Sequence, residues 1–196
     1  MSKIDKLLEF ANSKRVFTAK DVVAAGFSRS TLKQAVDQNQ LIRWGIGSYS
    51  SIESSPDEYR EIQERSKYFI FSNETALYLH NLTDVAYPKY CVTVPTGYNV
   101  KSKTQLKAYY VRRNIYELGI EEIESPYGNR IKVYNIDKTI CDIIKNENRI
   151  ESQIFSQAIL FYAHNPKKNL SRAMMYAKEM RIEKRFRIYL RVVQES

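Results

Sequence analysis

The stretch AAGFSRSTLKQAV, Ala24 to Val36, decides how the first fifty residues are read. Gly26 is where a helix can end in the left-handed backbone that costs glycine least. Ser28 follows as the N-cap of a new helix with Leu32, Ala35 and Val36 on its inner face. Ala25 is small enough to stand where the two helices cross. Arg29, Ser30, Thr31, Lys33, Gln34 and Asp37 are left facing outward. Arg and Lys suit guanine edges, Gln suits adenine, and Ser and Thr suit phosphates. A solvated helix face has the same composition, so this helix alone leaves both readings open.

The flanking residues bear on that choice. Upstream, Ile4, Leu7, Leu8 and Ala11 recur at helical spacing and predict an amphipathic helix over the first dozen residues. Thr18 with Asp21 predicts a capping box, opening a short helix whose apolar face is Val22, Val23 and Ala25. Downstream, LIRWGIGSYSSI places Gly45 and Gly47 between apolar and aromatic residues and predicts a tight hairpin. Residues 1–52 thus read as a winged helix-turn-helix domain, with Arg43 where a wing reaches backbone or minor groove. Trp44 and Tyr49 read as the wing's hydrophobic anchors. Residues 1–50 carry 8 Lys/Arg against 4 Asp/Glu, a net +4. Helices, wing and charge together favour DNA binding.

Residues 53–84 read as a helical connector. Pro56 opens a charged helix, Asp57–Lys67, followed by the short strand YFIF and the helix SNETALYLHNLTD, capped by Ser72 or Asn73. Residues 51–84 hold 3 basic against 7 acidic residues. From residue 85 a basic α+β domain is expected. Its strands are YCVTVP, LKAYYVRR, IEEIES and NRIKVYNI, and a helix opens at DKTICDIIK with Asp137 as cap. A helical tail, Glu151 to Val193, is broken at Asn165-Pro166. The fold class is α+β: a winged helix, then a mixed α/β domain with a basic tail.

Residues 85–196 carry 20 basic against 11 acidic residues, a net +9, equal to the charge of the whole chain. Six basic residues and no acidic one lie between Val85 and Tyr116: Lys89, Lys101, Lys103, Lys107, Arg112 and Arg113. Tyr87, Tyr90, Tyr98, Tyr109, Tyr110 and Tyr116 are interleaved with them, a mixture that suits a nucleic-acid surface or an ordinary sheet with solvated edges. The last helix sets Ile182, Phe186, Leu190 and Val193 on one stripe, with Arg181, Lys184, Arg185, Arg187 and Arg191 around it. Such a helix binds phosphates, an acidic partner or a membrane surface; the stripe is narrow, which disfavours the membrane.

Enzyme signatures are largely absent. Gly47-Ser48 is similar to the start of a nucleotidyltransferase motif, but no Asp-x-Asp/Glu follows. Pro56-Asp57 is similar to a nuclease motif, yet the chain contains no Asp/Glu-x-Lys. It has no phosphate-binding loop of the Walker type and no nucleophile elbow. His80, His164, Cys91 and Cys141 are isolated, so no metal and no cofactor is expected and the cysteines read as buried thiols. A cytoplasmic non-enzyme is the expectation. A winged-helix nuclease, and an interaction module gripping an acidic partner with its basic tail, stay as alternatives.

The winged helix, SNETALYLHNLTD, VYNIDKTICDII and the basic helical tail together resemble the AbiEi family of bacterial abortive-infection systems. SNETALYLHNLTD is similar to the family's Ser-Ala-Leu-x-x-His-Gly-Leu-Thr segment, with Asn81 standing for Gly, and IDKTICDII to its Arg-Thr-x-x-Asp segment. Gln40 precedes Leu41 where relatives carry Gly, and Ile46-Gly47 stands where they often carry Arg-Gly. The resemblance implies an antitoxin and repressor whose winged helix binds inverted repeats in double-stranded operator DNA upstream of its own operon. It implies a C-terminal domain that aids repression and counteracts a partner nucleotidyltransferase toxin, in defence against phage. No membrane partner is implied, and a monomer in solution that binds DNA cooperatively is compatible with it. The DNA-binding candidates are Arg29, Ser30, Thr31, Lys33, Gln34 and Arg43, then Lys101, Lys103, Lys107, Arg112 and Arg113, then Lys184, Arg185 and Arg187.

Overall fold

The computed structural model describes residues 2–14, 16–44, 47–51, 57–85, 88–101 and 105–195. Gly45, Ile46, Pro56, Tyr87 and Lys103 lie outside the described residues, as do the side chains of Trp44, Leu190 and Val193. The fold is α+β. The chain divides into two compact units, residues 1–67 with 123–131, and residues 68–122 with 132–196. This corrects the expected boundaries. The supposed connector is split at Lys67, its first helix going with the N-terminal unit and the rest with the second.

The first unit opens with α1 (Lys3–Lys14), β1 (Val16–Thr18), α2 (Ala19–Ala24) and α3 (Arg29–Asp37), then the pair β2 (Leu41–Trp44) and β3 (Ser48–Ser51). Thr18 makes the capping box: its Oγ1 accepts from Asp21 N at 3.2 Å, and Asp21 Oδ2 accepts from Thr18 N at 2.7 Å. Gly26, at φ +87°, closes α2 with a Schellman motif, in which Gly26 N donates to Val23 O and Phe27 N to Val22 O. The Oγ of Ser28 then accepts from Thr31 N at 3.1 Å. β1, which the sequence pattern did not announce, pairs antiparallel with β3, giving a sheet in the order β1-β3-β2.

Leu7, Ala11, Phe17, Val22, Leu32, Ala35 and Leu41 form this unit's core. Val23 and Ala25 do not join it; both are exposed. Helix α2 is one residue shorter than its pattern, so Ala25 is its C-cap and stands in the turn. The small residue of α3 that is fully buried is Ala35.

Helix α4 (Glu58–Glu64) completes the unit and is no loose connector, because Tyr59 and Ile62 are buried. Its N-cap Asp57 is fully buried, with Oδ1 accepting from Arg60 N at 3.1 Å. The Oδ2 of Asp57 accepts from the Ser125 hydroxyl and from Asn129 Nδ2 at 3.0 Å, which ties residues 123–131 into the unit. Arg60 bridges Asp21 at 3.1 Å and Glu64 at 2.9 Å.

The second unit is built on a mixed sheet of β4 (Ile70–Phe71), β5 (Tyr90–Pro95), β6 (Leu106–Val111), β7 (Ile120–Glu124) and β8 (Arg130–Tyr134), in the order β6-β5-β4-β8-β7. β4 is antiparallel to β5 and parallel to β8, and β5 is parallel to β6. Its helices are α5 (Asn73–Leu79), α6 (Arg113–Tyr116), α7 (Ile136–Lys145), α8 (Ser152–His164), α9 (Leu170–Glu179) and α10 (Glu183–Glu195). Asn81, at φ +56°, closes α5 with the same Schellman bonds as Gly26 does α2, so asparagine serves where the resembling family carries glycine.

Helix α7 is buried on every face from Ile136 to Ile144. Its cap is Asn135, whose side chain accepts from Lys138 N, and not Asp137 as the pattern suggested. Asp137 is buried inside the helix. It accepts from Tyr162 Oη at 2.7 Å, Asn169 N at 3.0 Å and Arg172 Nε at 2.6 Å, fastening α8 and α9 to α7. Lys138 is fully buried and its Nζ lies 2.7 and 2.8 Å from the two oxygens of Asp142 and 4.2 Å from the Tyr134 ring centroid. Removing one partner leaves an uncompensated buried charge. Lys138→Met should cost about 3–5 kcal/mol of unfolding free energy, whereas Lys138→Met with Asp142→Leu should recover most of it. Chemical denaturation of the three proteins checks this; equal loss in single and double variants refutes the pairing argument.

Candidate nucleic-acid interface

Helix α3 has an amphipathic sequence, and its partition is now explicit. Leu32 and Ala35 are buried and Val36 is half-buried, while Arg29, Ser30, Lys33, Gln34 and Asp37 are exposed and Thr31 is intermediate. The Ser28 cap does more than start the helix. Its hydroxyl lies 2.7 Å from Ser30 Oγ and 2.8 Å from Thr31 Oγ1, so the three hydroxyls of the first turn share one hydrogen-bonded cluster. Ser30 and Thr31 are thereby held at the helix start, where backbone N–H groups favour an anion.

Arg43 is exposed on β2, and β2 pairs with β3 in register, Arg43 opposite Tyr49. Tyr49 is half-buried and stacks on Phe17, with ring centroids 6.1 Å apart and planes at 21°, so it anchors the hairpin to the core as its aromatic character suggested. The hairpin stands against the exposed side of α3. Arg29, Lys33 and Asp37 of the helix and Arg43 and Tyr49 of the strands line one open hollow of about 290 Å³. Three cations from two elements thus meet over a floor of Leu32 and Val36. Sequence spacing alone did not put Arg43 beside Arg29 and Lys33.

The C-terminal candidates fare differently. Lys107 is corrected outright: its Nζ lies 2.7 Å from Oε1 of the buried Glu74 and donates to Arg149 O at 3.2 Å, so it neutralises an interior carboxylate. Glu74 also accepts from Tyr109 Oη at 3.2 Å and Cys91 Sγ at 3.1 Å. Burial and the Glu74 charge push the Cys91 thiol and the Tyr109 phenol upward, so neither ionises in the neutral range. Arg113 pairs with Glu117 at 2.9 Å, Arg185 with Glu147 at 2.6 Å and Arg187 with Glu183 at 2.8 Å. Lys101 and Lys184 are exposed. Arg112 is exposed too, but it lines a second hollow with Lys145, Arg149, Lys178 and Arg181. No motif marks Lys145, Arg149 or Lys178, and Arg181 lies before the last helix, which begins only at Glu183. With Arg112 they lie on three separate stretches of chain, whose meeting leaves no sequence signal.

Residues 5–51 match the family model described as "Transcriptional regulator, AbiEi antitoxin". The match covers that segment alone, and there it agrees with the resemblance of the sequence to the AbiEi family. No curated protein matches the chain. Among solved structures it is similar to the crystal structure of RV2827C protein from Mycobacterium tuberculosis, with 12% identity and a TM-score of 0.52. That likeness covers 95% of this chain and 78% of the other, and at such identity it concerns the fold alone.

Ala25 and Ala35 separate the two readings of the helix packing. Ala35→Leu should overpack the core and cost about 1–3 kcal/mol, while Ala25→Leu should leave stability nearly unchanged. Thermal melts of both variants decide the matter, and a large loss at Ala25 would restore it to the helix crossing.

Proposed function

We propose that the chain is a DNA-binding transcriptional repressor and antitoxin, in which residues 1–52 work as a winged helix-turn-helix. The observation that carries this reading is the hollow where Arg29 and Lys33 of α3 meet Arg43 of the hairpin. A recognition helix needs cations and hydrogen-bonding side chains on its outer face and a rigid inner face, and α3 has both. Arg29, Lys33 and Gln34 face base edges in the major groove, Ser30 and Thr31 hold phosphate at the helix start, and Arg43 lies on the backbone or in the minor groove. The family match over residues 5–51 supports the regulatory role.

The targets follow from the family resemblance: inverted repeats in the operator of the chain's own operon, and a nucleotidyltransferase toxin encoded beside it. The reading has the chain act without catalysis of its own, in the cytoplasm, as part of abortive infection by phage. No helix among the described residues is long and apolar enough to cross a membrane. The second unit carries the antitoxin function. Lys107, Arg113, Arg185 and Arg187 are bound to carboxylates and do not serve as DNA contacts.

Footprinting on the DNA upstream of the gene tests the repressor. Arg29→Ala or Lys33→Ala should weaken operator binding by about 1–3 kcal/mol without lowering the melting temperature. Arg43→Ala should weaken binding to all sequences alike and reduce the slope of log affinity against log salt by about 0.9. Protection absent in the wild type, or unaltered affinity in all three variants, refutes the placement. Coexpression with the adjacent toxin tests the other half. The double variant Arg29→Ala, Lys33→Ala should still rescue growth, because it leaves the second unit intact. Loss of rescue in this folded variant would tie antitoxin action to DNA binding instead.

A further inference from the structure

The second unit holds a larger hollow than the first, about 610 Å³, within the range of about 300–1,000 Å³ typical of small-molecule sites. Arg112, Lys145, Arg149, Lys178 and Arg181 line it, and all five are exposed. Among the described residues none of the five stands in an ion pair. Two carboxylates also line it. Asp142 is neutralised by the buried Lys138, and Glu179 is exposed. The hollow therefore keeps a clear excess of positive charge.

Local structure explains only part of this gathering. Lys145 and Lys178 sit in the last turns of α7 and α9, where cations complement the helix dipole. Arg112, Arg149 and Arg181 come from outside those helices. Arg149 is held with its guanidinium 4.8 Å from the Tyr109 ring centroid, and Tyr109 is itself fixed by Glu74. Partial burial lowers the Lys145 pKa; the Asp142 charge opposes this, and Lys138 and Arg112 add to it.

Arg181 is the most telling. Helix α9 ends in a Schellman motif, in which Arg181 N donates to Lys178 O and Ile182 N to Ala177 O, with Arg181 at φ +58°. The same bonds close α2, α3 and α5, where the left-handed position is held by Gly26, Asn39 and Asn81. Those residue types adopt this backbone at little cost, and arginine does not. At α9 the chain carries a guanidinium where a glycine would fold more easily.

The rest of the lining is of another kind. Tyr110 is a 46% exposed aromatic ring in the wall, beside Val111, Ile115 and Met180. The amides of Asn73 and Asn146, bonded to each other at 2.9 Å, form a polar corner. We propose that this hollow binds a nucleoside di- or triphosphate, the five cations taking the phosphates and Tyr110 with its apolar neighbours taking the base. A concave site of this size matches a nucleotide, whereas a convex duplex presents its phosphates across a wider surface.

The full chain is titrated by calorimetry with ATP, GTP, inorganic tripolyphosphate and a short DNA duplex of unrelated sequence. ATP or GTP should bind at one site per chain, more tightly than tripolyphosphate. Arg149→Gln and Arg181→Gly should each weaken that binding about tenfold, and Lys167→Ala, exposed and outside the hollow, should not. Arg181→Gly should also melt no lower than the wild type, since glycine suits its backbone, which separates lost binding from lost folding. Absence of nucleotide binding at millimolar concentration overturns the proposal, as does nucleotide binding that both arginine variants leave intact. Tripolyphosphate binding as tightly as nucleotide overturns the nucleoside part. Duplex binding that Arg149→Gln and Arg181→Gly both weaken and that no nucleotide displaces makes the hollow a surface for DNA backbone and overturns it as well.

Discussion

The buried pair of Lys138 and Asp142 is the constraint on which the second unit is organised. The two residues lie one turn apart on a helix with no exposed face between Ile136 and Ile144. A charge in that position is tolerated only where its partner is fixed, because separating the pair leaves a desolvated ion. Residues around it are set accordingly. Tyr134 places its ring under the Lys138 ammonium and donates its hydroxyl to Tyr116 O at 2.8 Å. Gly119, at φ +70°, comes so close that an added Cβ would sit 2.7 Å from Lys138 Cβ. The pair also acts outward. Asp142 reaches the wall of the large hollow already paired with Lys138.

Much of the fold was legible because its signals are local. The Thr18–Asp21 box, the Gly26 stop and the Ser28 cap each depend on residues within four positions, and each formed as read. What failed depended on distant partners. β1 is three residues long and is a strand only because β3 lies beside it. Asp137 looked like a cap by type and position, but Tyr162 and Arg172, far along the chain, claim its oxygens. The break between α9 and α10 was invisible for the opposite reason. Its left-handed residue is Arg181, so the usual glycine mark of a helix end is missing.

The candidate sites show the same division. The outward set on α3 was readable from periodicity, since a helix face follows from spacing alone. Its meeting with Arg43 was not, because it needs the β2–β3 register to set that strand against the helix. Composition announced the positive charge of residues 85–196 but could not say which cations were already engaged. Lys107 adds to the positive charge by composition, yet it serves the buried Glu74. Arg149, noticed by no motif, stands over Tyr109 in the large hollow. Net charge thus indicates the sign of a partner, and pairing geometry decides where that partner lies.

On the two proposals, operator DNA for the first unit and a nucleotide for the second, the chain has two ligands, and thermodynamics restricts what each can do to the other. A nucleotide changes operator affinity only if it prefers one DNA-binding state of the chain over another. Whatever the factor, the operator must change nucleotide affinity by the same factor, since the coupling free energy is shared. Equal nucleotide affinities with and without operator would mean two independent functions on one chain. Unequal ones would make repression responsive to nucleotide supply, with the ratio of affinities setting the largest shift in operator occupancy that the nucleotide can produce.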